Sequence, residues 1–379
     1  MRWGIVVVGL CCACGAKSAL EVDEHDASLD ARRDATVRDA RPIDARLVDA
    51  RLVDGPSVDG RPLPDTMGDV AFDGEPPRPP RPCRSRARPV DLFLVVDSSG
   101  SMRAELEALS AEVPTLLRDM IQPPDLDLNG EADWPAIEDL HFAVALSGNG
   151  GRFNGVGDPE RPGCAPSYPI WQSYRRGGDL EGFLLGASCV FPEAVGGSEA
   201  LFSTALRALL PPDATFPFRQ TPEIAVAHAG YLRDESVLVM LFVTDEDDDS
   251  ICTDLPTDVC EQRCVRVGMM TFCTVPTGSV ASWSEGITEL GDRRDLVLGA
   301  LAGMPVDVSD PDEVLEITLG AHPFAEMCSV DGRAGLPAPR VVEMVNRFDG
   351  VLHSICSTRY QGLVRTIASR VGRLACDDP

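Results

Sequence analysis

Residues 90–97 read VDLFLVVD and residues 237–245 read VLVMLFVTD. Each is an almost unbroken run of bulky apolar side chains that stops on an aspartate. A run of that length with no polar alternation is a strand buried on both faces, the kind found in parallel sheets covered by helices on either side. Outward from the first run, Leu106, Leu109, Val113, Leu116, Leu117 and Met120 recur at helical spacing, with Pro114 expected to break or restart that helix. HFAVALS at 141–147 reads as another strand, 198–210 as a helix, 296–301 as a strand, 339–348 as a helix and 351–355 as a last strand. Tyr360, Leu363, Val364, Ile367, Val371 and Leu374 form the apolar stripe of a closing helix. This alternation predicts an α/β fold, a doubly wound, mostly parallel sheet flanked by helices. Residues 148–195 and 250–285 break the rhythm and are read as disulfide-rich insertions.

The 379 residues carry 60 acidic and 34 basic side chains, a net charge of -26. Such a surface repels nucleic acid and anionic membrane faces, and suits divalent cations or basic partners. A merely solvating acidic surface accounts for part of the same excess. At the N-terminus, Arg2 precedes a short apolar run from Gly4 to Leu10, too short to anchor in a bilayer and typical of an export signal. The following Leu10-Cys11-Cys12-Ala13-Cys14-Gly15 resembles the lipobox of bacterial lipoproteins. That resemblance implies cleavage before Cys14, lipidation there, and sorting to the outer membrane. An ordinary secretory signal is the alternative.

Residues 15–88 are expected to be an acidic, proline-rich tether. Asp34, Asp39, Asp44, Asp49, Asp54 and Asp59 recur every five residues, a period that matches neither helix nor strand, and the segment ends in PPRPPRP. A flexible stretch of that length spans on the order of 50 Å. Of the 13 cysteines, ten follow Cys14, and six of those ten fall in the two irregular stretches. An even number in an exported chain favours disulfides, five in all. A zinc site at Cys252, Cys260, Cys264 and Cys273 is the alternative, although no tight C-x2-C pair is present.

The sharpest motif is Asp97-Ser98-Ser99-Gly100-Ser101-Met102, at the carboxyl end of the first buried run and at the start of a helix. Its carboxylate and two hydroxyls are hard oxygen donors of the kind Mg²⁺ or Ca²⁺ prefers, on a turn that Gly100 permits. A serine-rich helix start, with Asp97 or Ser99 capping backbone amides, is the plainer reading. Here the sequence resembles the von Willebrand factor A family over about residues 89–375. The hallmark of that family is a metal-ion-dependent adhesion site whose first loop reads D-x-S-x-S. Asp97, Ser99 and Ser101 match it, and Thr244-Asp245 matches the third loop. Gly196-Gly197-Ser198 is nearest to the second, with Ser198 in place of the usual threonine. The stretches VDLFLVVDSSGSM and GYLRDESVLVMLFVTDEDDDS and the late HSIC also resemble a group of bacterial surface lipoproteins. The resemblance implies bound Mg²⁺ or Mn²⁺ with one position open to a carboxylate of a protein partner.

Two further acidic stretches stand out. Glu246, Asp247 and Asp248 continue from Asp245, either as a second Ca²⁺ site or as a solvated acidic turn. Asp125, Asp127, Asn129 and Asp133 occupy positions 1, 3, 5 and 9 of an EF-hand-like Ca²⁺ loop. Gly130 is at position 6, and Glu131 at 7 would offer its backbone carbonyl. Position 12 is Ala136 instead of glutamate, so an acidic connecting loop is the alternative. None of the five histidines sits in a paired metal motif, and no nucleophile elbow or P-loop is present. The expected function is therefore metal-dependent adhesion by an envelope-anchored, non-enzymatic protein. The alternatives are a stapled structural protein with Ca²⁺ sites and a metal-dependent hydrolase using Asp97 and Asp245.

Overall fold

The computed structural model describes residues 88–376 except 127, 157–162, 166, 192–198, 251–259, 262–263, 268–269, 274–276, 309 and 323. In chain order the elements are β1 (Val90–Val96), α1 (Arg103–Ile121), β2 (Asp139–Leu146), β3 (Trp171–Arg175), α2 (Leu180–Val190), α3 (Leu201–Leu209) and α4 (Pro222–Ala227). Then come β4 (Val237–Val243), β5 (Cys260–Glu261), β6 (Cys264–Val267), β7 (Met270–Cys273), β8 (Thr277–Gly278), α5 (Val280–Gly291) and β9 (Leu296–Ala302). The chain closes with α6 (Pro311–Gly320), β10 (Cys328–Val330), β11 (Arg333–Gly335), α7 (Pro339–Arg347), β12 (Val351–Ser354) and α8 (Gln361–Cys376).

The main sheet has six strands in the order β12-β9-β4-β1-β2-β3. All neighbours are parallel except β3, which runs antiparallel along the edge of β2. β1 lies at the centre and every residue in it is buried. Its alternate side chains divide the core. Val90, Leu92, Leu94 and Val96 face the layer of α1, α2 and α8, while Phe93 and Val95 face α3, α5 and α7. β4 repeats the division, with Val237, Val239, Leu241 and Val243 on the first side and Leu238, Met240 and Phe242 on the second. Two wet-side helix layers are what make both faces of these strands apolar, so the doubly wound fold follows from the unbroken runs.

Pro114 does not break α1, which is continuous through it. Proline removes one backbone donor, but Leu106, Leu109, Val113, Leu117 and Met120 are all buried along the same face, and that packing holds the helix together. The stretch 148–195, set aside as irregular, supplies β3 and α2 to the main architecture. β3 escaped notice because an edge strand buries only alternate residues: Gln172 and Tyr174 are inside, Ser173 and Arg175 outside. α6 was also missed, since it buries only Val314 and Thr318. Two disulfides join Cys164 to Cys189 and Cys328 to Cys356. The remaining cysteines, the zinc alternative, the tether and Cys14 lie outside the residues whose side chains are described. Among the described residues no helix is long and apolar enough to cross a membrane.

Candidate metal centre

From β1 the chain turns towards β2, and from β4 it turns towards β9, so the strand order reverses between these two neighbours. A crevice opens at the carboxyl ends of strands where such a reversal occurs. Asp97 and Asp245 stand at that rim. Asp97 N donates to Val243 O at 2.8 Å, which extends the β1–β4 ladder by one bond and fixes the two loops against each other. Asp97 is fully buried. Its Oδ1 accepts from Ser99 N at 2.7 Å and its Oδ2 from Thr244 Oγ1 at 2.9 Å. The Ser99 and Ser101 hydroxyl oxygens are 2.8 Å apart, and Ser101 Oγ donates to Asp245 Oδ1 at 3.4 Å. Behind them the buried Met102 Sδ accepts from Asp245 N at 3.1 Å. Ser98 closes the back, its N donating to Ser147 Oγ at 3.2 Å at the end of β2. The structure thus brings Asp97, Ser99, Ser101 and Asp245 together, while Ser198 lies outside the described residues.

Its neighbour Glu199, which opens the approach to α3, belongs to the same charge cluster. Burial first, and then the carboxylates of Asp97, Asp249 and Glu246, push Glu199 up to about 9. Burial, then Asp97, Glu246 and Glu105, push Asp245 up to about 8. Asp249 rises to about 6, through burial and the charge of Asp248, and burial raises Asp97 and Glu246 as well. Burial is the largest cause in all five, and neighbouring carboxylate charge adds to it in Glu199, Asp245, Glu246 and Asp249. Among the described residues no three His, Cys, Asp or Glu side chains form a metal cage by themselves. The donor set is instead two carboxylates with two hydroxyls. It is all hard oxygen, with Asp97, Ser99 and Asp245 buried and Ser101 exposed at the rim, which fits Mg²⁺, Mn²⁺ or Ca²⁺ and does not fit a soft metal.

The acidic run after Asp245 separates into two parts. Asp247 Oδ1 accepts from Arg340 N at 2.8 Å, at the start of α7. Asp248, 3% exposed, accepts from Phe202 N at 3.0 Å, from Ser250 Oγ at 2.7 Å and from Arg340 NH2 at 3.0 Å. These two therefore clamp the loop to α3 and α7. Glu246 and Asp249 turn the other way, towards Asp97. Glu199 and Glu105 escaped the sequence reading. Only the position of Glu199, directly after the Gly-Gly-Ser turn, could have signalled it.

At 125–133, Asp125 accepts from Asn129 N at 3.0 Å and Gly130 N at 2.7 Å, Asn129 Oδ1 accepts from Glu131 N at 2.7 Å, and Asp133 accepts from Leu126 N at 2.8 Å. The chain turns on left-handed backbone at Leu128 (φ 57°) and Gly130 (φ 88°). Asp127 is outside the described residues. The buried histidines are structural: His141 Nδ1 bonds Tyr231 O at 2.8 Å, and His228 bonds both Phe153 N and Ala208 O.

No protein-family model matches the chain, and no curated protein resembles it in sequence. Among solved structures it is similar to a von Willebrand factor type A protein from Catenulispora acidiphila, at 12% identity and a TM-score of 0.33, over 76% of this chain and 43% of that one. Proximal thread matrix protein 1 from the mussel byssus is similar at 11% identity and a TM-score of 0.30, over 76% and 46%. The human COPII-coat protein Sec24c is similar at 12% identity and a TM-score of 0.28, over 77% and 33%. The chain spans less than half the length of each. The fold is a doubly wound α/β sheet of the von Willebrand factor A or Rossmann-like kind. Its own topology carries that statement: a central β1, a strand reversal beside it and a single antiparallel edge strand.

Proposed function

We propose that this chain is an exported, lipid-anchored protein of the cell envelope whose head binds a protein ligand through a divalent cation. One observation supports this above the others. Asp97, Ser99, Ser101 and Asp245, from two separate loops, meet at the reversal point of the sheet with hydroxyl and carboxylate oxygens in mutual contact. Asp97, Ser99, Ser101 and Asp245 would hold Mg²⁺ or Mn²⁺, which would supply positive charge for an anionic group of the partner. The chain's own residues do the rest. The Ser99 amide and Thr244 hydroxyl orient Asp97, Met102 seats the backbone of Asp245, and the Asp248–Arg340 pair holds the acidic loop in place. A Ca²⁺ ion in the 125–133 loop remains part of this reading, as does the anchor at Cys14.

Isothermal titration with Mg²⁺ and Mn²⁺ tests the proposal. Asp97→Ala is expected to weaken binding by about 100-fold or more, or about 2.7 kcal/mol, with an unchanged circular dichroism spectrum. Equal titration heats for the two proteins would remove the metal reading. Cation-dependent melting without cation-dependent capture of any envelope or extracellular protein would favour a purely structural ion.

A further inference from the structure

The β10–β11 hairpin touches the candidate metal centre from behind. Leu336 N, just beyond β11, donates to the backbone oxygen of Asp245 at 2.6 Å. Ala334 N donates to Glu105 Oε1 at 2.9 Å. Glu105 is in the first turn of α1, one turn past Ser101, and is 2% exposed. The hairpin also meets the exit of β9 through backbone alone. A Cβ on Gly303 would fall 1.9 Å from Leu336 O, and one on Gly335 would fall 2.6 Å from Gly303 Cα. Neither place admits a side chain, so the hairpin sits flush against both loops.

Its far side is fixed to the closing helix. Cys328, the first residue of β10, is bonded to Cys356 in the turn between β12 and α8. Arg333 NH1 donates to Ser357 O at 2.8 Å in the same turn. The chain of contacts runs from the disulfide through the hairpin to the peptide oxygen of Asp245 and the first turn of α1, which together set the aim of Asp245 and Ser101. Groups that orient metal ligands without touching the ion commonly change its affinity by 10–100-fold.

We propose that the Cys328–Cys356 bridge and Glu105 are positioning residues for this centre, holding the hairpin as a strut under Asp245. The role rests on the metal-binding reading above. The second bridge is a built-in control. Cys164–Cys189 closes a loop of similar length, 25 residues against 28, so its loss should lower the melting temperature comparably. It joins the last turn of α2 to the loop before β3, and no described hydrogen bond links it to Asp97, Ser99, Ser101 or Asp245.

The experiment compares the full chain with Cys328→Ala/Cys356→Ala and with Cys164→Ala/Cys189→Ala, by thermal melting and by titration with Mg²⁺ and Mn²⁺. Both pairs are expected to melt earlier, and only the first to bind the cation about tenfold or more weakly. Unchanged affinity in the first pair, or an equal loss in both, overturns the proposal. Glu105→Ala and Glu105→Gln test it with both bridges intact, should the first pair fail to fold. Alanine removes the acceptor for Ala334 and is expected to weaken cation binding about tenfold, while glutamine keeps an acceptor and should stay within about threefold of wild type. An equal loss in both would assign the effect to the charge of Glu105 and overturn the positioning role. If the wild-type chain takes up no cation, the metal reading falls and this role with it; wild-type binding with unaffected variants removes the positioning role alone.

Discussion

The two ends of the central strand each bury an aspartate, and the chain treats them in opposite ways. At the amino end, Asp91 has its own cation. Arg233 donates to it from its backbone N at 2.9 Å and from Nε at 2.8 Å, and also reaches Asp139 and the oxygen of Val90. Ser236 and His141 complete the enclosure. At the carboxyl end, Asp97 is just as buried and receives the Ser99 amide and the Thr244 hydroxyl, with Glu199, Asp245, Glu246 and Asp249 around it. A buried carboxylate that is neither paired nor neutralised is costly. The fold satisfies that need internally at the amino end, and the dication proposed above would meet it at the carboxyl end.

The largest effect expected from this contrast is at the paired end. Arg233→Ala removes the guanidinium from the buried Asp91 and should lower stability by about 3 kcal/mol or more, read by urea denaturation, with cation affinity unchanged. Asp97→Ala should go the other way in chelator. Removing one of several mutually repelling carboxylates is expected to leave the cation-free protein as stable as wild type or slightly more so. If Asp97→Ala destabilises the chelated protein as much as Arg233→Ala does, the two ends are equivalent and the contrast is broken.

Much of this was legible in the sequence, and what was hidden has a common cause. The apolar runs at 90–96 and 237–243 reveal β1 and β4 because burial on both faces leaves a one-dimensional signature. The Asp97, Ser99 and Ser101 spacing is equally local, as is the Thr244-Asp245 pair at the end of β4. The partners of the site are not local. Glu105 meets Ala334 and Asp248 meets Arg340 only after the sheet has assembled, across separations of 229 and 92 residues. Asp91 interrupts the apolar run VDLFLVV, and nothing nearby in the chain says that its partner is Arg233, 142 residues away. β3 was lost because half of an edge strand faces water, which erases the apolar run.

A smaller effect sharpens the comparison through pH. Glu199 and Asp245 are pushed up to about 9 and about 8, so in the cation-free protein they hold protons that the unfolded chain has released. Groups raised in the folded state contribute stability that is complete in acid, below their unfolded values, and is lost as pH climbs through the folded ones. In chelator, stability should therefore decline from about pH 5 to about pH 9. A bound dication favours the ionised forms and should reverse that decline. The gap between melting temperatures in Mg²⁺ and in chelator is thus expected to widen as pH rises, while the contribution of the Asp91–Arg233 end, common to both conditions, cancels. A gap that is constant over the range would mean that the cation does not bind at these carboxylates.

The smallest effect concerns the 125–133 loop, which tests whether carboxylates alone make a cation site in this protein. There the acidic groups are at the surface, where water screens them, and Asp125 already orders the amides of Asn129 and Gly130. Asp125→Ala should remove those two bonds and reduce stability by about 1 kcal/mol without added ion. If the loop binds Ca²⁺, the same change should also abolish a Ca²⁺-dependent rise in melting temperature that Asp97→Ala leaves intact. If the rise is absent in wild type, the loop is held by its own hydrogen bonds. The demand for a cation is then confined to the buried end of β1, where solvent cannot do the ion's work.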